Sequence, residues 1–166
     1  MAMVEAKVEG LALDMTTNTP VVILSPINQD KVLPIWIGHA EAWGIAMQLS
    51  GVTPKRPLTY DLLKQVITTL KAEVDRIEVT ELRDQTFYAV VYLKRNGDQF
   101  TIDARPSDSI ALALKAEAKI FINDELLALG DADGSGSEPA PMPTDPETLR
   151  ERLRKINPED FGKYSL

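Results

Sequence analysis

Four acidic residues stand where a structural element begins or ends rather than along a solvated face. Glu41 follows Trp36-Ile37-Gly38, Asp61 follows Arg56-Pro57, Asp103 closes an alternating run, and Asp108 opens an apolar helical one. Arg56 and Arg105 lie close in sequence to two of them. Gathered in space, such acids form an oxygen-rich nest for Mg²⁺ or Mn²⁺, hard cations that take few ligands from protein and the rest from water and phosphate. A cation held there lowers the pKa of a bound water and stabilises charge on a phosphodiester. Arg56 and Arg105 are then placed to grip a phosphate by bidentate hydrogen bonds.

Each acid also has a purely structural explanation. Glu41, Asp61 and Asp108 fall in the first turn of a helix, where negative charge complements the macrodipole. Asp103 can cap a turn or pair with Arg105. His39 is the only histidine and follows Gly38 at a strand-to-helix turn; it suits a general base, or a cap or surface position, since no second His or Cys accompanies it. Ser107 lacks the elbow motif of a nucleophilic serine and is left as a substrate contact. Tyr60, Trp36 and Trp43 can stack on bases, although large apolar residues at helix and strand positions more often serve a core or an interface. There is no Walker loop and no GxGxxG, so ATP hydrolysis and dinucleotide redox chemistry lack support.

The elements that must position these residues follow from periodicity. Val4, Ala6 and Val8 alternate, then the apolar positions shift parity at Glu9-Gly10, which predicts a β-bulge in a strand ending near Asp14. Two strands follow, Val21–Leu24 and Val32–Ile37, the second at an edge or an irregularity because Pro34 cannot donate to a ladder. Ala42, Ile45, Ala46 and Leu49 give a helical stripe over about 40–50 that Gly51 stops. Beside it Trp43 and Met47 predict a wide apolar face or a helix-mediated dimer. Thr59 is the expected N-cap of a helix over 60–71, whose Leu62, Leu63, Val66, Ile67 and Leu70 make it the clearest amphipathic segment. Strands over 74–82, 86–94 and 99–103 read as an antiparallel meander, with Asn96-Gly97 a strong hairpin signal. A buried helix over 106–118 and a short strand over 119–122 complete the set, with a helical turn or two over 123–129.

The expectation is one compact α/β domain of the α+β type, residues 1–129. It has a mixed, largely antiparallel sheet and about three packed helices. Residues 130–145, rich in Gly, Ser, Pro and acids, read as a flexible linker. Residues 146–166 read as a short amphipathic tail helix, with Asp145 as cap, Pro146 at the first position, and Leu149, Leu153 and Ile156 on one stripe.

Composition narrows the function classes. The 166 residues hold 44% apolar and 26% charged side chains, near the globular average. They contain no cysteine, which excludes a disulfide scaffold, a thiolate zinc site and a cysteine nucleophile, and suits a reducing cytoplasm. No basic-then-apolar leader opens the chain and no apolar run approaches a membrane span, so a cytoplasmic protein without membrane contact is expected. The net charge of −7 disfavours tight sequence-independent binding of nucleic acid, which normally uses a basic stripe. A transient contact through a bound cation is compatible with it.

Three blocks resemble the bifunctional nuclease domain family: Leu33-Pro34-Ile35-Trp36-Ile37-Gly38 with Glu41-Ala42, Arg56-Pro57-Leu58-Thr59-Tyr60-Asp61-Leu62-Leu63, and Asp103-Ala104-Arg105-Pro106-Ser107-Asp108-Ser109-Ile110-Ala111-Leu112-Ala113-Leu114. The segment 83–89 fits as well, and the match runs in order over about residues 3–128. The resemblance implies a compact, dimer-forming α/β unit and a nuclease acting on DNA and RNA with low sequence specificity. It implies roles for Glu41, Asp61, Asp103 and Asp108 as metal- or water-orienting groups, and for Arg56 and Arg105 on phosphate. Many members carry His where this chain has Tyr60, a departure that shifts the base role to His39 or to a metal-bound hydroxide. Plant relatives carry a further C-terminal helical module, whereas here the linker leads to a short peptide. The alternative is a non-enzymatic module, binding a small anion or oligomerising, in which the same residues form a salt-bridged structural knot.

Overall fold

In the computed structural model, residues 2–128 and 153–155 are described. The chain forms β1 (Met3–Asp14), β2 (Thr19–Pro26), β3 (Leu33–Trp36), α1 (His39–Ser50), α2 (Thr59–Thr69), β4 (Glu73–Arg83), β5 (Thr86–Arg95), β6 (Asp98–Ala104), α3 (Pro106–Ala116), β7 (Lys119–Asn123), the single turn α4 (Glu125–Ala128) and β8 (Leu153–Lys155). The sheet order is β3-β2-β1-β7-β4-β5-β6, with β8 on β1. All pairings are antiparallel except β4 with β7. This is the mixed, largely antiparallel α/β domain the sequence predicts.

Local signals account for the joints. The β1 register against β2 shifts between Val8 and Gly10, as the parity change predicts. Gly51 ends α1 in the left-handed region at φ 72°. The β5–β6 hairpin turns through Asn96 and Gly97, both at positive φ, and the β4–β5 hairpin does the same through Asp84 and Gln85. Pro34 lies in the edge strand β3, where its missing N–H is harmless.

The helices cover one face of the sheet. Ile77, Val79, Ile120, Ile122, Val22 and Leu24 point into that core, where Ile45, Ile110 and Ala113 meet them without solvent exposure. Full burial of a residue of that size contributes about 1.5–3 kcal/mol. Over β4 and β5 the opposite face is polar and aromatic: Arg76 stacks 3.8 Å above the Tyr92 ring, whose hydroxyl donates to Glu78 at 2.9 Å. No helix among the described residues is long and apolar enough to cross a membrane.

The structure bears on two further expectations. Within the segment read as a tail helix, Leu153–Lys155 are a strand pairing antiparallel with Ala12–Asp14; the rest of that segment and the linker lie outside the described residues. β1 outruns β7, which pairs only with Met3–Ala6, so Ala12–Asp14 offer open backbone donors and acceptors. Trp43 packs against the core and Met47 is half-buried, which fits the wide apolar face, one of the two alternatives for α1.

Candidate active site

The first turns of α1, α2 and α3 meet around Arg105, the residue that precedes α3. Its Nε donates to Asp108 Oδ2 and its Nη2 to Glu41 Oε1, each at 2.8 Å. The Tyr60 hydroxyl donates to the other oxygen of Asp108 at 2.9 Å. One chain of hydrogen bonds thus ties together residues 64 and 48 positions apart in sequence. Arg105 is 66% exposed, whereas the Glu41 side chain is only 16% exposed. The guanidinium is therefore a solvent-facing cation with its carboxylate partners behind it.

Two glycines on and beside α1 shape the seats. A Cβ on Gly38 would lie 2.2 Å from Glu41 Oε2, so the carboxylate folds back over a backbone that has no side chain. A Cβ on Gly44 would lie 2.7 Å from Cε2 of Tyr60, so the phenol ring rests on bare helix. A glycine inside a helix costs about 1 kcal/mol relative to alanine; at position 44 close packing of Tyr60 accounts for it.

Electrostatics follow the geometry. Partial burial pushes the Tyr60 phenol well up, reinforced by the hydrogen bond to Asp108 and the negative charges of Asp108 and Glu41, with Arg105 opposing. Tyr60 is thus a persistent donor, not a base. Asp108 foremost, and Glu41 after it, hold the Arg105 guanidinium firmly protonated.

The four predicted acids do not share one nest. Glu41 and Asp108 converge through Arg105. Asp61 accepts from the Leu58 N–H at 2.9 Å and pairs with Lys115 at 2.6 Å, in the last turn of α3. Lys115 lies seven residues beyond Asp108, roughly 10 Å along the axis. Lys115 holds the Asp61 carboxyl below its usual range, helped by the Leu58 N–H and opposed by burial. Leu58, not Thr59, is the N-cap of α2; its side chain cannot cap, and Asp61 at the third helical position reaches back to the Leu58 N–H, the reciprocal half of a capping box. Asp103 is exposed on β6. Its neighbours Ile102 and Ala104 line the helix-side groove, so strand alternation turns Asp103 to the other face.

His39 is exposed at the first position of α1, Arg56 is exposed on the loop before α2, and Ser107 is buried. Among the described residues no group of three or more His, Asp or Glu gathers as a cation nest. The oxygens that do converge, on Glu41 and Asp108, already share one guanidinium, so as arranged they do not fit a resident Mg²⁺ or Mn²⁺. Gly44 and Lys115 are the contributors that residue-type reasoning passed over. The one signal for Gly44 was a helix-breaking residue inside a helical pattern.

The fold and site define a class: a single α/β domain whose three helix N-termini carry an arginine–carboxylate–tyrosine network at the surface. A profile of the bifunctional nuclease domain matches residues 22–133, and the chain belongs to that family. An uncharacterised protein of Mycobacterium tuberculosis is 35% identical over 162 residues, covering 95% of this chain and 97% of that one. Bifunctional nuclease 2 of Arabidopsis thaliana is 28% identical over 98 residues. Bifunctional nuclease 1 of Oryza sativa subsp. japonica is 23% identical over 113 residues, 66% of this chain but 34% of the rice protein.

Proposed function

We propose that this chain hydrolyses phosphodiester bonds in both DNA and RNA with little sequence preference, and that Arg105 binds the scissile phosphate. The observation that carries this reading is the poise of Arg105: two carboxylates from separate helices orient a guanidinium that remains two-thirds exposed. Two of its five N–H donors are spent on Asp108 and Glu41, which leaves others for phosphate oxygens. The family and the printed names of its plant relatives support phosphodiester chemistry. Three converging helix N-termini add partial positive charge where the phosphate would sit.

In this scheme a water oxygen attacks phosphorus, one P–O bond breaks, and Arg105 offsets the charge that develops on the phosphoryl oxygens. His39, two residues from Glu41, accepts the water proton; Tyr60 holds Asp108 in place. Arg56 adds a second phosphate contact from its loop. No step is routed through a metal ion, because the converging acids do not fit one.

A second reading rests on charge balance: one guanidinium against two carboxylates is net negative, which suits a structural knot better than an anion site. The full chain, incubated with single-stranded DNA and RNA in Mg²⁺, Mn²⁺ or chelator, separates the two. Cleavage should fall at least tenfold in Arg105→Ala and partly in Arg105→Lys, with folding intact. No cleavage under any condition, or equal cleavage by folded Arg105→Ala, sinks the nuclease role of this site.

A further inference from the structure

The Arg105 network borders an apolar groove of about 410 Å³ between α2 and β6, and Asp108 belongs both to the groove wall and to the network. Of the apolar stripe of α2 only Ile67 is buried. Leu63, Val66 and Leu70 therefore form one bank of the groove, and Phe100 and Ile102 of β6 form the other. These five side chains are 40–59% exposed. A largely apolar cleft of about 300–1,000 Å³ with a few polar groups at its rim is the usual form of a ligand site.

Positive charge marks both ends. Arg105 follows the last residue of β6. Arg95, exposed and lining the groove, stands opposite Asp98 at the first. The seven extended residues of β6 set the two ends roughly 20 Å apart. In a chain of net charge −7, an arginine at each end of an apolar trough suits an extended anion with flat apolar surface between its charges. Apart from Arg95, the polar side chains that line the groove are already engaged. Both oxygens of Asp108 accept bonds, from Tyr60 and from Arg105, and the Ser109 hydroxyl donates to the Arg105 carbonyl.

We propose that this groove seats unpaired bases of a single-stranded nucleic acid, with one phosphate on Arg105, another on Arg95, and a base stacked on the Phe100 ring between them. The inference rests on the nuclease reading and adds to it the strand state of the substrate. An unpaired base offers a free face to an aromatic ring, whereas in a duplex both faces are held in the stack. Every base has such a face, so apolar walls that bond to no base edge admit all of them, in DNA and RNA alike. Low sequence preference is then a property of the groove: its polar groups are spent on the Arg105 network, and base edges turn outward to water. The arginines read only the backbone, which positions a strand without specifying its sequence.

Fluorescence anisotropy on the full chain tests it, in chelator so that binding is read apart from cleavage and at one fixed low salt concentration. The probes are oligothymidylate, a strand of the same length built of abasic sugars, and a blunt duplex. Oligothymidylate should bind at least tenfold more tightly than either control. Phe100→Leu should remove most of that advantage and leave binding of the abasic strand unchanged. Phe100→Trp should keep the advantage, an outcome that apolarity alone does not produce. Both variants should fold, because Phe100 is half-exposed. Arg95→Gln should weaken oligothymidylate and the abasic strand by the same factor and lower the salt slope by about one. Equal affinity for these two strands, both weakened by Arg105→Ala, overturns the base seat and keeps Arg105 on phosphate. A base preference removed by Phe100→Leu but untouched by Arg105→Ala keeps the seat and sinks the Arg105 reading. No binding of any strand overturns the proposal. So does a Phe100→Leu variant that changes mass in light scattering and keeps the base preference, which assigns the groove to a protein contact.

Discussion

Gly38→Ala isolates the link between Glu41 and Arg105 with a single added methyl group. Gly38 sits at φ −74°, ψ 159°, a conformation alanine adopts without strain. The new Cβ would lie 2.2 Å from Glu41 Oε2. Ordinary carbon–oxygen contact lies about 1 Å further out, so the carboxylate must retreat by roughly that much. A 2.8 Å hydrogen bond to Arg105 does not survive such a move. Stability should barely register it: removing a glycine from the unfolded ensemble gains about 0.4–1 kcal/mol. Losing an ion pair whose arginine is mostly exposed costs about 0.2–1 kcal/mol. The melting temperature should therefore stay within a few degrees, while cleavage of single-stranded DNA falls tenfold or more because Arg105 is no longer aimed. The decisive assay is a double-mutant cycle with Glu41→Ala, in which the methyl group has nothing to displace. If Gly38→Ala slows cleavage equally with and without the Glu41 carboxylate, or leaves cleavage unchanged while an experimental structure shows Glu41 moved, the positioning argument fails.

Other expectations follow from the same contacts. Gly44→Ala should destabilise the fold by about 1–2 kcal/mol in chemical denaturation, since overpacking against the Tyr60 ring outweighs the gain in helix propensity. Tyr60→Phe should cost about 1 kcal/mol by removing the bond to Asp108. It should also erase the most alkaline tyrosine transition from a phenolate absorbance titration, because burial and the neighbouring acids push that group up. Asp61→Asn should cost about 1 kcal/mol at neutral pH yet leave cleavage intact, since Asp61 serves the start of α2 and Lys115 rather than Arg105. A carboxyl held low in the folded state contributes stability above its unfolded pKa, and that contribution fades as pH falls through the folded value. The difference between Asp61→Asn and the parent should accordingly shrink below about pH 4; a difference that widens there contradicts the assignment.

Much of the fold was readable because its signals are local. Backbone geometry alone points to a bulge where parity changes in β1, a turn at Asn96-Gly97, a stop at Gly51 and an edge or irregular position for Pro34. At Leu153–Lys155, the described part of the tail, the helical reading fails for the opposite reason. Leu149, Leu153 and Ile156 satisfy a helical spacing, but three residues of that segment answer to an open stretch of β1 more than a hundred positions earlier. A period states which face is apolar; it does not state which backbone partner is vacant. The α2 stripe carries the same lesson. Its spacing predicts an amphipathic helix correctly, yet only Ile67 finds the core of its own chain.

Residue type picked out members of the Arg105 network better than it picked out their grouping. Glu41 and Asp108 were singled out by their place at element starts, Arg105 by its nearness to such acids in sequence, and Tyr60 as a ring able to stack on bases; the fold joins all four. Asp61 shares that placement and belongs to a different contact, because a first-turn acid one residue along the helix from Tyr60 faces the other end of α3. Sequence gives no rotational phase between two packed helices, and that phase separates the acid on the Arg105 network from the acid on Lys115. The glycines restore part of the missing information. Gly38 and Gly44 are sites where another chain segment comes closer than a side chain allows, and they frame Glu41 and Tyr60. The network is therefore a product of close packing on α1, and its function is best tested by filling those two gaps rather than by deleting charges.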